Sequence, residues 1–389
     1  MCRHLCLSGS ACVLLVLAGC GGGAGGGGST DRARGIAEPV LVAEVASVIS
    51  VATGWWHTCA VDGTGQAWCW GQNEHGQTGC TGDTGSVLDS GIPYIDTPCA
   101  VTTVTPPMQL DAIASSWVET CGLDLSGSAI CWGYGFLLNP RVEPIGPTPV
   151  DTTERFTILR APMADIGMCG LTAIGTRYCW GTRGTMAVTT AERLVAKLQD
   201  DGGLRFVDIA LGQLSACGVT TNAEAWCWGS NWYGQLGIGT VGQFELPLES
   251  KVPVKVVGNR SYRAIVAGGS HICALDIDSA TWCWGLIRGD GAYGTPQPVL
   301  GNHRFDKIFA GGQFTCGLEN NGQAWCWGHG PFGELGNGNY TNTLEPVSVV
   351  GGLFFSTLAL GGGHACGITP DQQMYCWGDN GHGQLGRPL

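Results

Sequence analysis

The sequence predicts an all-β protein, a β-propeller of seven blades, and three observations carry that prediction. Cysteines recur in pairs with nine residues between the two, and every pair closes on the tripeptide Cys-Trp-Gly. Seven such copies follow one another, the second cysteine returning every 43–62 residues, a period in the range of propeller blades. Each copy reads as a hairpin without a polar face, so it needs cover on both sides, which a ring of blades supplies. The composition agrees: 65 glycines and few charges (13% of 389 residues) suit many short strands and tight turns, and 44% hydrophobic residues supply a large core.

In chain order, residues 1–19 read as a signal peptide: Arg3 and His4 form a short polar start, and an apolar run follows from Ala11 to Leu17. The next residues, Leu17-Ala18-Gly19-Cys20, resemble the lipobox of bacterial lipoproteins. The resemblance implies cleavage before Cys20 and lipid on its thiol. It places the chain on the cell envelope, at the outer membrane or cell surface because Gly21 rather than Asp follows. Membrane contact then runs only through that lipid. Residues 20–35 are glycine-rich and read as a flexible tether, and residues 36–389 as the propeller.

The pairs are Cys59/Cys69, Cys121/Cys131, Cys169/Cys179, Cys217/Cys227, Cys273/Cys283, Cys316/Cys326 and Cys366/Cys376. In the first copy Thr58-Cys59-Ala60-Val61 and Gln66-Ala67-Trp68-Cys69-Trp70 read as strands joined by the turn Asp62-Gly63-Thr64-Gly65. Residues opposite one another at a non-hydrogen-bonded site lie close enough for a disulfide, so each pair is expected to bridge its own hairpin. Strand alternation puts Trp68 and Trp70 on one face and Cys69 and Gly71 on the other, and both faces are expected to be buried. Cys2, Cys6 and Cys12 leave with the signal peptide. Cys80 and Cys99 then remain, flanking an insertion, and are expected to form an eighth disulfide. A full set of pairs indicates an oxidising compartment. The nine-residue spacing does not suit zinc knuckles, and neither metal nor other cofactor is expected.

Further landmarks recur: Gly234-Gln235-Leu236-Gly237 with relatives at Gly76, Gly333 and Gly383, a Pro-Val step, and His57, His271 and His364 two residues before a cysteine. The combination resembles the regulator of chromosome condensation (RCC1-type) repeat family over residues 36–389. The resemblance implies a seven-bladed propeller of four-stranded blades. The last copy lacks a Pro-Val strand behind it, while Glu38-Pro39-Val40-Leu41-Val42 precedes the first; Pro39 to Val42 is therefore expected to complete the last blade and close the ring. The three histidines read either as metal ligands round the channel or as structural groups bonded to backbone beside glycine turns. Their absence from the other four copies favours the second.

The family's founder exchanges nucleotide on a small GTPase and binds chromatin. Those roles are not carried over, because a net charge of −12 repels phosphate backbones and excludes nucleic acid as the expected partner. Gly237-Ile238-Gly239-Thr240-Val241-Gly242 matches a dinucleotide fingerprint, but no helix start follows it. The expected function is a non-enzymatic, monomeric protein-interaction scaffold on the bacterial envelope. Binding is expected where copies depart from the repeat: the Cys80–Cys99 loop, the segments from Tyr134 and Thr182, and the aromatics Trp232, Tyr233 and Tyr340. Two alternatives are an inhibitor of an exported enzyme, as in some exported bacterial propellers of this family, and a lyase or glycosidase with an acidic site at the channel mouth.

Overall fold

Seven antiparallel sheets follow one another along the chain in a computed structural model, which describes residues 35–387 apart from 81–85, 88–92, 102–108, 134–144, 163–166, 182–194, 243–248 and 288–290. The signal peptide, Cys20 and most of the tether lie outside the described residues. So do the segments beginning at Tyr134 and Thr182 for much of their length. Contacts gather Ala33–Leu389 into one compact unit.

Each blade repeats one hairpin plan. Blade 4 is typical, with Phe206–Leu211, Ser215–Thr220, Ala225–Ser230 and Glu249–Lys255 in spatial order. Blade 1 departs from four strands, because the insertion between Cys80 and Cys99 contributes a short fifth, Ser86–Val87. The last blade has three strands of its own, Thr357–Leu360, His364–Ile368 and Met374–Gly378. Its fourth is the N-terminal strand Ile36–Leu41, with Val40 opposite Cys376 and the Val42 amide donating to the Met374 carbonyl at 2.9 Å. Closure of the ring this way covers the edge that Met374–Gly378 would otherwise leave open.

The paired cysteines sit directly opposite one another on the second and third strands of every blade. Cys59 faces Cys69, Cys121 faces Cys131, Cys169 faces Cys179 and Cys217 faces Cys227. Cys273 faces Cys283, Cys316 faces Cys326 and Cys366 faces Cys376. Their Cα atoms lie 4.0–4.1 Å apart and the sulfurs are bonded. Cys80 is bonded to Cys99 with Cα atoms 6.3 Å apart, which ties the insertion to blade 1.

Beyond the second cysteine the third strand keeps its register with the second, Ser215 facing Gly229 and His271 facing Gly285, but its register with the fourth strand slips. Cys227 faces Val254 of the fourth strand, yet Gly229 faces Ser250. Cys283 faces Gln297, yet Gly285 faces Tyr293. Two steps along the third strand thus match four along its neighbour. The cause is left-handed backbone at the glycines, with φ 89° at Gly229 and 87° at Gly285, which bends the strand as it leaves Cys-Trp-Gly. Cys227 and Cys283 lie before the bend, and both remain buried and bonded to their hairpin partners, Cys217 and Cys273.

The core is organised by seams rather than by sheets. Buried apolar residues of the described chain form seven clusters, and each draws on two neighbouring blades. Cover along the tryptophan face is uneven. Trp70, Trp132, Trp284 and Trp377, between cysteine and glycine, are fully buried, whereas Trp68, Trp226 and Trp282 are half-buried. The physical reason is a polar tether near the turn: the indole N–H of Trp68 donates to Asp62 at 2.8 Å and that of Trp282 to Asp276 at 2.9 Å, which keeps one edge of each ring toward water.

Candidate functional site: an aromatic rim and the locks behind it

The Gly-Gln-Leu-Gly turn is braced from within. The Gln235 side-chain oxygen accepts the Tyr233 amide at 2.8 Å, and Asn231 accepts the Leu236 amide at 3.0 Å. Gln384 with His382 and Asn380 with Leu385 repeat both bonds. So stiffened, the turn reaches the next blade. The Gln235 carbonyl accepts the Trp284 indole N–H at 2.8 Å, Glu334 accepts Trp377 at 3.0 Å, and Gln384 accepts Trp70 at 2.9 Å. Leu236, Leu335 and Leu385 are buried beneath these contacts. The turn and the Cys-Trp-Gly tripeptide are therefore two halves of one lock between blades.

The histidines form a second lock. His57 Nε2 lies 2.9 Å from Thr120 Oγ1, His271 2.8 Å from Thr315, and His364 2.9 Å from Thr58, each time across a seam. The Thr120 and Thr58 hydroxyls donate to the Gln77 and Gln384 carbonyls at 3.0 and 2.8 Å. A hydroxyl has one hydrogen, so both must accept from histidine, which fixes the neutral Nε2–H tautomer there. Burial pushes His57 and His364 down to about 3 and His271 to about 4. The partner is thus a threonine of the next blade and not backbone, which corrects the sequence reading. Gly268 and Gly361 make room for the rings: a Cβ there would stand 2.7 and 2.5 Å from the imidazole Nδ1.

Sequence held the signal for this lock. Every histidine precedes a copy with threonine just before its first cysteine, at Thr58, Thr120 and Thr315. The other copies carry Met168, Ala216, Ile272 and Ala365 there, and none of these follows a histidine copy. Nε2 of each ring is taken by a threonine hydroxyl, and the three rings are not brought together as a ligand set among the described residues. Glu119, Cys121 and Cys131 do lie together, but the two sulfurs are bonded to each other and offer no thiolate.

Antiparallel topology places the first-to-second-strand loops and the third-to-fourth-strand connections at one end of the ring. That rim carries an aromatic arc. Trp56 lies 6.2 Å from Trp55, 6.1 Å from Trp117 of blade 2 and 5.2 Å from His382 of blade 7, all half-exposed. Phe332 of blade 6 stands against His329 at 5.6 Å and extends the arc. Trp232 and Tyr233 occupy the blade 4 turn at 50% and 43% exposure. The structure does not bring them onto the Trp56 cluster. The Tyr340 hydroxyl donates to the Gly35 carbonyl at 2.8 Å, so this residue fastens the closing strand. Sequence reasoning missed Trp55, Trp56 and Trp117, although they stand where the fifth, sixth and seventh copies carry Gly, Ser or Gln.

The central channel encloses about 700 Å³ lined by first strands. Its charges are mixed: Asp208 pairs with Arg160 at 3.0 Å and accepts the Ile265 amide, while Lys307 donates to the Ser356 carbonyl at 2.9 Å. Burial pushes the Asp208 carboxyl up, and Arg160 opposes it. The described channel residues do not form the acidic cluster that a channel-mouth lyase or glycosidase requires.

These features define a class, a seven-bladed propeller whose blades are stapled internally by sulfur and joined externally by side-chain locks. Models of the regulator of chromosome condensation (RCC1) repeat match residues 48–77, 206–235, 305–334 and 355–384, with a second model of that repeat over 222–275, so these stretches are repeats of the RCC1 type. Among solved structures it is similar to human WBSCR16 (16% identity, 86% of this chain and 87% of that one, TM-score 0.67). It is also similar to Prp20p of Saccharomyces cerevisiae, described with its binding to Gsp1p and histones (21%, 85% and 82%, 0.68). A third is the ectodomain of the Arabidopsis thaliana receptor kinase ACR4 (18%, 88% and 97%, 0.53). At these identities the likeness is one of fold. No curated protein matches the sequence.

Proposed function

We propose that the chain is a protein-binding scaffold that docks its partner on the Trp55–Trp56–Trp117 rim. An RCC1-type propeller is a platform for protein interaction, and the observation that carries the reading is this arc of half-exposed indoles on a rigid frame. Large aromatics with few rotatable bonds are the side chains that anchor interfaces. The frame is held by eight disulfides and by locks at the seams, so the rim is preorganised and binding orders little.

Placement on the bacterial envelope belongs to the same proposal. It is supported by the Leu17-Ala18-Gly19-Cys20 box and by the oxidised cysteines, which persist in exported proteins. The test is chemical cross-linking on intact cells, comparing the wild-type chain with Trp56→Ala and Cys20→Ser. The proposal expects one captured protein that Trp56→Ala loses, and release of the chain from the membrane fraction by Cys20→Ser. Equal capture by Trp56→Ala, or unchanged membrane association of Cys20→Ser, would refute the corresponding half.

A further inference from the structure

The seam between blades 5 and 6 is built for a lock that the described residues do not supply. Blade 5 has no Gly-Gln-Leu-Gly turn. Its third strand instead runs on through Thr281–Ile287 and pairs directly into Gly291–Pro298, with Leu286 opposite Ala292 and Ile287 opposite Gly291. Blade 6 nevertheless keeps its half of the lock. Trp327 stands between Cys326 and Gly328, stacked on Phe305 at 5.7 Å, and is only 4% exposed. Its indole N–H has no acceptor among the described residues. Unlike the indole N–H groups of Trp132 and Trp325, that of Trp327 is not closed off from solvent, so it is an unshared donor at the edge of open space.

The other seams without the turn have substitutes. The Trp180 indole donates to Cys131 Sγ at 3.3 Å, and the Arg177 guanidinium, held by Asp201, covers the Trp228 ring at 4.3 Å. Trp132, whose N–H also lacks a partner, is sealed under Gly79, where a Cβ would lie 2.7 Å from the indole. Among the described residues Trp327 has neither substitute nor seal. Beside it opens a cavity of about 270 Å³, with Ile287, Tyr293, Pro298, Leu300 and Leu344 among its walls. An apolar cavity of roughly 150 Å³ already holds a benzene.

We infer that this seam is a peptide-binding site, and that its occupant is a turn of a partner protein presenting a backbone carbonyl to the Trp327 N–H and an aliphatic side chain to the cavity. The chemistry of the occupant is read from the molecule itself. Three seams show what fills the same place: a carbonyl 2.8–3.0 Å from the indole nitrogen and a buried leucine. Glycines follow the leucines, because a Cβ on Gly237 or Gly386 would stand 3.1 Å from the indole nitrogen. A glycine-flanked Gln-Leu or Glu-Leu turn therefore fits, whereas a bulky residue after the leucine does not. The cavity shares no lining residue with the aromatic arc, which lies on blades 6, 7, 1 and 2.

The probe is a cyclic peptide carrying Asn-Trp-Tyr-Gly-Gln-Leu-Gly-Ile-Gly, the chain's own residues 231–239, titrated into the oxidised full-length protein. Indole N–H resonances are followed by NMR, with the peptide unlabelled. The expected result is a saturable shift of one indole signal, the signal absent from Trp327→Phe. Affinity should fall about tenfold in Trp327→Phe, which keeps the ring but loses the donor, and by a similar factor with alanine in place of the peptide leucine. Leu344→Trp, which fills the cavity from a blade 6 strand, should abolish binding and serves as the second variant. No shift at millimolar peptide, or equal binding by Trp327→Phe and Leu344→Trp, would overturn the inference. Loss of partner capture in Trp56→Ala alone would leave it standing.

Discussion

His57 of blade 1 donates through Nε2 to the Thr120 hydroxyl of blade 2 at 2.9 Å, and that hydroxyl donates in turn to the Gln77 carbonyl of blade 1. One threonine thus joins two separate parts of the preceding blade. The bonded atoms are buried, so removing the hydroxyl strands both a donor and an acceptor.

Thr120→Val keeps the shape and deletes the relay. Leaving buried polar groups unpaired is expected to cost about 1–3 kcal/mol. Urea unfolding of the oxidised protein measures it. A second replacement, His57→Leu, should recover part of the loss in the double variant, as in the natural seams that have neither residue. Strict additivity of the two costs would contradict the relay.

Acid should weaken the ring through the same histidines. Their folded values, about 3 for His57 and His364 and about 4 for His271, lie below the unfolded value. Between those limits the unfolded chain binds more protons, so stability is complete above the unfolded value and falls as pH drops toward the folded one. Well below pH 6.5 each ring contributes a slope of roughly 1.4 kcal/mol per pH unit. Urea midpoints from about pH 7.5 to about pH 5 should fall in the wild type and fall less in His271→Asn. An unchanged slope in the variant would count against the buried neutral ring.

Gly336 sits at φ 64° with its Cα over the Trp377 indole, where a Cβ would stand 2.8 Å from Nε1. Gly336→Ala should therefore cost about 1–3 kcal/mol from left-handed backbone and displaced indole together. The Trp377 indole N–H resonance, now bonded to the Glu334 carbonyl, should move as that bond lengthens. A neutral substitution would mean that the turn is not a wedge.

Much of this architecture was readable before any coordinates. The spacing of Cys59 and Cys69 specified opposed positions on a hairpin, and Glu38-Pro39-Val40 announced the strand that closes blade 7. Local pattern was enough there because each feature lies within one blade or at a chain end. The same pattern could not show the slip in register after Cys227 and Cys283, which depends on the backbone angle of the glycine two residues on. The seam locks were harder to see, since His57 and Thr120 are distant in sequence and pair only once blades are known to neighbour in order. The half-burial of Trp68 was missed because alternation gives the face of a side chain but not the pull of Asp62 on its indole edge. From sequence Tyr340 reads equally as an interface anchor or a packing residue, because nothing local reveals that its hydroxyl meets Gly35.

The two rims should behave differently. Trp56→Ala and Trp117→Ala on the aromatic rim are expected to weaken partner binding by about 2 kcal/mol or more each, as interface anchors do. Leu125→Ala and Ile174→Ala, 79% and 73% exposed on the hairpin turns of the opposite rim, should leave it unchanged. Titration of the captured partner against the four variants decides between the faces.

The measurement that bears most directly on the whole account is a disulfide map of the mature protein, digested without reduction after free thiols are blocked. The stapled propeller predicts peptides joining Cys59 to Cys69, Cys121 to Cys131 and so on through Cys366 to Cys376, with Cys80 joined to Cys99. Blocked thiols at those positions, or bonds running between different hairpins, would contradict it.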